Sequence, residues 1–143
     1  MDLPMEDVIE IEQLLAKYAV YMTKLDVEEV MDVFTPDGTY SAFGATYPLK
    51  DFPALVQAAP KGLFLTGTPL LELDGDTGSG YQPLLFVDQT NHHMRMGWYT
   101  DTYLRTKKGW RIKTRRMTFL RRSGERDHGK AHDPLRPEPS SAP

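Results

Sequence analysis

Tyr21 and Asp26 are the first residues of this 143-residue chain whose types and order suggest chemistry. They stand five positions apart at the end of an apolar-periodic stretch, and Phe34-Thr35-Pro36-Asp37-Gly38 follows closely. A carboxylate that loses hydration in a dry pocket rises in pKa and accepts a proton near neutral pH. A phenol near it donates a hydrogen bond to a substrate oxygen or a developing enolate. Asp26 has an equally simple structural role: Asp26-Val27-Glu28-Glu29 has capping-box spacing, which suits a carboxylate that accepts hydrogen bonds from the start of a helix.

His92 and His93 are the other candidates for proton transfer, with Asp88 or Asp101 available to hold a tautomer. They also fall at the start of a hairpin, where an exposed pair needs no function. Adjacent histidines on a strand or loop point apart and no third ligand is evident, so no metal site is expected. Alternation along the following strand puts Gly97, Tyr99, Asp101 and Tyr103 on one face and Met96, Trp98, Thr100 and Thr102 on the other, without fixing which face is internal. Asp101 between two tyrosines suits a polar substrate group, but an ion pair with Arg115 or Arg116 on the next strand is the preferred reading.

The elements that must position these groups follow from periodicity. Val8, Ile11, Leu14, Leu15, Tyr18, Tyr21, Met22 and Leu25 recur every three or four residues and predict an amphipathic helix. A second helix is expected over Val27 to Phe34, ended by a turn at Pro36-Asp37-Gly38. A short strand at Tyr40 to Phe43 and a helical turn over 51–58 come next. Strands are then expected over 64–73, 81–87, 94–106 and 110–121, with turns at Asp74-Gly75-Asp76 and Lys107-Lys108-Gly109. Helices followed by a meander of long strands indicate an α+β domain over 1–121, and residues 122–143 form a polar, proline-rich tail expected to be disordered.

Composition removes several classes of function. With no cysteine there is no disulfide, thiol nucleophile or thiolate metal site. No N-terminal signal pattern or membrane-length apolar run is present, so a soluble cytoplasmic protein is expected. The formal charge of −3 hides an asymmetry: ten acidic residues fall in Met1 to Gly38, and nine basic residues with no acid in Arg105 to Arg122. Without a glycine-rich phosphate loop, this basic strand reads as a solvated outer face or a dimer interface rather than a nucleic-acid surface. Met22, Met31, Met94, Met96 and Met117 suit a pocket for a flexible apolar ligand, or simply a core.

The helix end at Tyr21 to Asp26, Phe34-Thr35-Pro36-Asp37-Gly38, Leu73-Asp74-Gly75-Asp76, Gly97-Trp98-Tyr99-Thr100-Asp101 and Gly109-Trp110-Arg111-Ile112 occur in one order. Together they resemble the SnoaL-like branch of the nuclear transport factor 2-like superfamily, from about Val8 to Leu120. The resemblance implies a cone-shaped, curved antiparallel sheet wrapped around N-terminal helices, with an apolar pocket between them. It also implies a homodimer and no cofactor. Members include dehydratases, dehydrochlorinases, ketosteroid isomerases, epoxide hydrolases and polyketide cyclases, so the fold alone leaves function open.

Bile-acid dehydratases and related lyases offer the nearest analogy, since their helix carries the Tyr-x-x-x-x-Asp pattern matched by Tyr21 and Asp26. Such lyases place a histidine at the start of the strand that here reads Gly62-Leu63-Phe64-Leu65-Thr66-Gly67, so Leu63 or Phe64 replaces it. The leading expectation is a cofactor-independent lyase or isomerase acting on a small hydrophobic oxygenated molecule such as a steroid or polyketide. Asp26, Tyr21, His92 and His93 are its candidate catalytic residues, and Tyr18, Phe64, Tyr99, Asp101 and Met117 its candidate substrate contacts. The alternative is a non-catalytic small-molecule-binding or dimerisation module that lacks the dyad.

Overall fold

The computed structural model describes residues 3–122 and 137–140. Helix α1 spans Met5–Lys24 and buries Ile11, Leu14, Leu15, Tyr18, Ala19 and Met22 along one face. Leu25 ends it in the left-handed conformation at φ 60°, and the Asp26 N–H donates to the Tyr21 carbonyl at 3.0 Å. This reversal turns the chain straight into α2, Val27–Met31.

Helix α2 stops short of the expected Phe34 because the neighbouring sheet takes over its carbonyls. The Val33 N–H donates to Val30 O, and Val33 O accepts from Ile112 N at 2.9 Å. Strand β1 then runs over Phe34–Ala42, so the turn expected at Pro36-Asp37-Gly38 lies inside a strand. The local turn chemistry survives as a register shift. Phe34 pairs with Ile112 and Thr39 with Thr114, so one strand uses five steps where its partner uses two.

The remaining elements are β2 (Ala45–Pro48), a 3₁₀ turn (Leu49–Asp51), α3 (Phe52–Ala58), β3 (Gly62–Thr66), β4 (Leu70–Asp74), β5 (Thr77–Asp88), β6 (Met94–Thr106) and β7 (Gly109–Arg122). The single strand expected over 64–73 is divided between β3 and β4, with Gly67-Thr68-Pro69 between them. Both halves pair with β5. The sheet order is β2-β1-β7-β6-β5-β3. The expectation of a purely antiparallel sheet needs one correction, because β1 and β7 are parallel. The chain reaches β7 from β1 only after the whole meander has been laid down.

The sheet is curved and open. Helix α1 packs on its concave side, and the Thr23 hydroxyl accepts from the Phe64 N–H at 3.0 Å while donating to Ala19 O. The other end of α1 is held by Asp7, which accepts from Arg105 at 2.8 and 3.0 Å and from the Trp110 indole at 3.1 Å. The β6 face carrying Gly97, Tyr99, Asp101 and Tyr103 is the internal one. Gly97 sits where the β6–β7 register shifts, and a Cβ there would lie 1.9 Å from the Thr118 carbonyl oxygen. Only glycine permits that approach and the bend that goes with it.

Of the tail expected to be disordered, residues 123–136 and 141–143 lie outside the described residues. Residues 137–140 pack on the domain instead. The Tyr47 hydroxyl donates to Pro137 O at 2.7 Å, and the Asp51 carboxylate accepts from the Ser140 N–H and hydroxyl at 2.7 and 2.6 Å. Among the described residues no helix is long and apolar enough to cross a membrane.

Candidate functional site

A half-open cavity of about 80 Å³ lies between α1, α3 and the concave face of the sheet. Its floor comes from periodicity already seen in the sequence: Tyr18 and Met22 lie one helical turn apart on α1, and Tyr99 and Met117 are paired across β6 and β7. Helix α3 adds Phe52, Leu55 and Val56, and β1 adds Tyr40. Phe43, Arg95 and Phe119 are half-exposed, whereas Tyr18 and Tyr99 are 1% exposed, so the former mark the mouth and the latter the floor. The Phe43 and Phe119 rings stack at 5.1 Å.

Immediately behind the floor lies a buried ion pair. Arg115 donates from Nε to Asp101 Oδ1 and from Nη2 to Asp101 Oδ2, each at 2.9 Å. The Tyr103 hydroxyl donates to the same Oδ2 at 2.9 Å, and Gln82 Oε1 accepts from Arg115 Nη2 at 2.9 Å. Both charged side chains are 0% exposed. Burial works against the Arg115 charge, but Asp101 beside it outweighs that effect and raises its pKa, so it stays cationic at every practical pH. The guanidinium centre lies 3.6 Å from the Tyr99 ring centroid and 4.4 Å from that of Tyr18, and Nη1 has no hydrogen-bond partner among the described residues. The aromatic faces take up the charge that hydrogen bonds leave over.

The two floor rings meet edge to face, with centroids 5.6 Å apart. Burial raises the pKa of Tyr18, an effect partly offset by the positive charge of Arg115. Burial also raises Tyr99, well above the ordinary phenol value, and Tyr18 adds to the rise. Both are therefore neutral at physiological pH and act as hydrogen-bond donors.

Among the expected substrate contacts, Tyr18, Phe64, Tyr99 and Met117 all line the cavity. Phe64, rather than the exposed Leu63, takes the internal position where related lyases were expected to carry a histidine. Asp101 is enclosed in its ion pair, with Arg115 as partner and Arg116 exposed on the other face. The four expected catalytic residues lie off the cavity wall. Asp26 is exposed and caps α2, accepting from the Glu29 N–H at a long 3.4 Å. The reversal at Leu25 carries it off the α1 surface, and five helical residues span about 140° in any case, so Tyr21 and Asp26 do not share a face.

Tyr21 is half-buried beneath Lys24, whose Nζ lies 5.6 Å from the ring centroid. His92 and His93 are exposed in the β5–β6 turn, where His92 has φ 61° and the His93 N–H donates to Asn91 Oδ1 at 2.8 Å. Asp88 is committed to the same turn, accepting from the Thr90 N–H through Oδ1. Sequence reasoning missed Tyr40, Phe43, Phe52, Arg95 and Phe119. For Arg95 a signal existed: extending the β6 alternation back from Tyr99 through Gly97 places it on the internal face. Among the described residues no three His, Asp or Glu side chains are grouped to hold a metal ion.

The family profile for the SnoaL-like domain matches residues 4–116 of this chain. The Mycobacterium tuberculosis uncharacterized protein Rv2910c is 32% identical over 118 residues, covering 74% of this chain and 80% of the relative. Among solved structures, Rv3472 of Mycobacterium tuberculosis, a protein of unknown function, superposes with a TM-score of 0.76 at 25% identity, covering 82% of this chain and 79% of that one. A Novosphingobium aromaticivorans protein described as a scytalone dehydratase gives a TM-score of 0.76 at 15% identity over 87% of this chain and 91% of that one, a likeness of fold.

Proposed function

The chain belongs to the SnoaL-like domain family, and from that premise we propose that it is a cofactor-independent lyase or isomerase of the dehydratase kind. Its substrate is a compact apolar molecule bearing a hydroxyl or carbonyl oxygen. The carrying observation is the floor of the cavity, where two neutral phenols meet a wall that is apolar apart from Tyr40 and Arg95, and a buried guanidinium lies against both rings. The volume favours a molecule smaller than a steroid, since a dry cavity of roughly 150 Å³ is what holds one benzene.

In a dehydration, a floor phenol gives its proton to the departing hydroxyl and the C–O bond breaks. The resulting phenolate takes the proton from the adjacent carbon, leaving a C=C bond, one water and the phenol restored. Arg115 stabilises the transient phenolate by its fixed charge in a water-poor site. With a carbonyl substrate the same donors polarise the oxygen and favour enolisation.

A second reading, non-catalytic small-molecule binding, is favoured by one specific observation: no carboxylate or imidazole lines the cavity among the described residues. Incubation with a panel of small β-hydroxy carbonyl compounds, followed by absorbance of the conjugated product, separates the two. The lyase reading predicts turnover that falls roughly 10²-fold or more in Tyr99→Phe and Tyr18→Phe, in line with losing one preorganised donor. Compounds that bind and return unchanged establish the second reading instead. We further propose a homodimer, formed through the outer sheet face that exposes Leu63, Leu65, Tyr81, Met94 and Met96.

A further inference from the structure

Helix α3 forms one wall of the cavity, and its own packing does little to fix it there. The residues it buries, Phe52, Leu55 and Val56, all line the cavity, so its apolar face borders open volume where a core helix would touch side chains. A face against a void forgoes the dispersion contacts that hold a packed element in place. At 7 residues the helix is also too short to persist on its own hydrogen bonds in water. The position of this wall therefore depends on what grips its two ends. At the C-terminal end the Lys61 ammonium donates to the carbonyls of Val56 and Gln57 in the last turn and of Ala59 just beyond it. The N-terminal end is gripped from elsewhere in the chain. Asp51 occupies the cap position, yet its carboxylate makes no bond to the helix and accepts instead from the Ser140 N–H and hydroxyl at 2.7 and 2.6 Å. Beside it, the Tyr47 hydroxyl donates to Pro137 O at 2.7 Å. Tyr47 pairs across β1 and β2 with Tyr40, whose ring lines the cavity and meets Phe52 edge to face at 5.5 Å. Within the segment Pro137 and Pro139 are half-buried and Glu138 and Ser140 exposed. Two prolines with fixed φ leave little backbone freedom to lose on docking.

We propose that residues 137–140 are a strap that docks on Tyr47 and Asp51 and holds α3 as the cavity wall, so that strap docking and ligand capture reinforce each other. The ligand half rests on the cavity being the binding site, whereas the strap stands on its own hydrogen bonds. A molecule in the cavity touches Phe52, Leu55 and Val56 only while α3 is in place, so it binds the strapped state more tightly than the released one. By linkage, the docked strap raises ligand affinity by the same factor.

Hydrogen exchange read by mass spectrometry on the full chain without ligand, followed by calorimetry with benzyl alcohol, tests both halves. Ser140→Pro removes both donors to Asp51 at an exposed position, and is expected to speed exchange of the α3 amides about tenfold while β6 stays protected. The same variant is expected to bind benzyl alcohol about fivefold more weakly than the wild type. Ser140→Thr keeps both donors and is expected to match the wild type in both readouts. Asp51→Ala is expected to reproduce the Ser140→Pro effects, with no further change when the two are combined. Unchanged α3 exchange in Ser140→Pro overturns the strap. Faster exchange with unchanged affinity overturns its coupling to the cavity. If benzyl alcohol fails to bind the wild type, the ligand half and the cavity reading fall together, and the exchange rates still decide the strap.

Discussion

At the scale of single residues, the buried pair and the exposed cap make opposite predictions. Asp101→Asn or Arg115→Met leaves one uncompensated group among fully buried neighbours, and removing one partner of such a pair costs about 3–5 kcal/mol. Urea unfolding is expected to show that loss for each single variant and a smaller one for Arg115→Met combined with Asp101→Leu; additive losses would contradict the coupling. Asp26→Ala removes only a long, solvent-exposed bond to the Glu29 N–H, so it is expected to cost about 0.5 kcal/mol, the low end for a helix cap. Asp26→Asn keeps the cap and is expected to leave turnover unchanged. A hundredfold fall in kcat for Asp26→Asn, with the unfolding midpoint unmoved, would return that carboxylate to the chemistry.

At the scale of elements, α1 is held to the β6–β7 hairpin by Asp7. Hydrogen bonds from Arg105 first, then from the Trp110 indole, lower the Asp7 pKa beneath its ordinary 3.8. A carboxylate whose folded pKa is depressed contributes stability above its unfolded pKa and loses that contribution as pH falls through the folded value. Thermal unfolding of the wild type is therefore expected to weaken progressively below about pH 5, and Asp7→Asn to be less stable at pH 7 with a flatter decline. An equally steep decline in Asp7→Asn would assign the acid sensitivity to Asp32 and Asp37, which Lys17 and Lys113 hold below the usual carboxylate range in the same way. The anchoring helix was legible in the sequence because its apolar positions recur at a single period, and so was the long β6–β7 hairpin, where turn residues and alternation agree. The bulged start of β1 was not, since Pro36-Asp37-Gly38 carries real turn chemistry that a distant strand, β7, absorbs as a register shift. The lining of the cavity followed the same rule. Tyr18, Phe64, Tyr99 and Met117 line the cavity as the helix and strand periods allow, whereas the exposure of Asp26 was not legible, because one left-handed residue, Leu25, redirects the chain.

For the whole molecule, the distribution of apolar side chains separates ligand binding from self-association. The cavity lies on the concave side, while the outer face aligns Leu63 with Val87 and Met94, and Leu65 with Leu85 and Met96, across three neighbouring strands. Leu65 is 56% and Leu63 48% exposed, and Tyr81 on β5 is 54% exposed on the same face. A contiguous apolar sheet face of this kind calls for a partner, and a stable interface needs roughly 800 Å² from each side. Sedimentation equilibrium at micromolar concentrations is expected to give a dimer for the wild type and a monomer for Leu65→Lys combined with Met96→Lys. Because dimerisation stabilises only the folded state, the wild-type Tm is expected to rise with protein concentration and that of the double variant to stay constant. A wild type that remains monomeric across the range would remove the outer face from the assembly. Ligand affinity carries the complementary information: a cavity on the opposite face of the sheet from the proposed interface is expected to bind a small apolar alcohol such as benzyl alcohol equally well in monomer and dimer, and a loss of binding in the double variant would show that the two faces of the sheet are coupled.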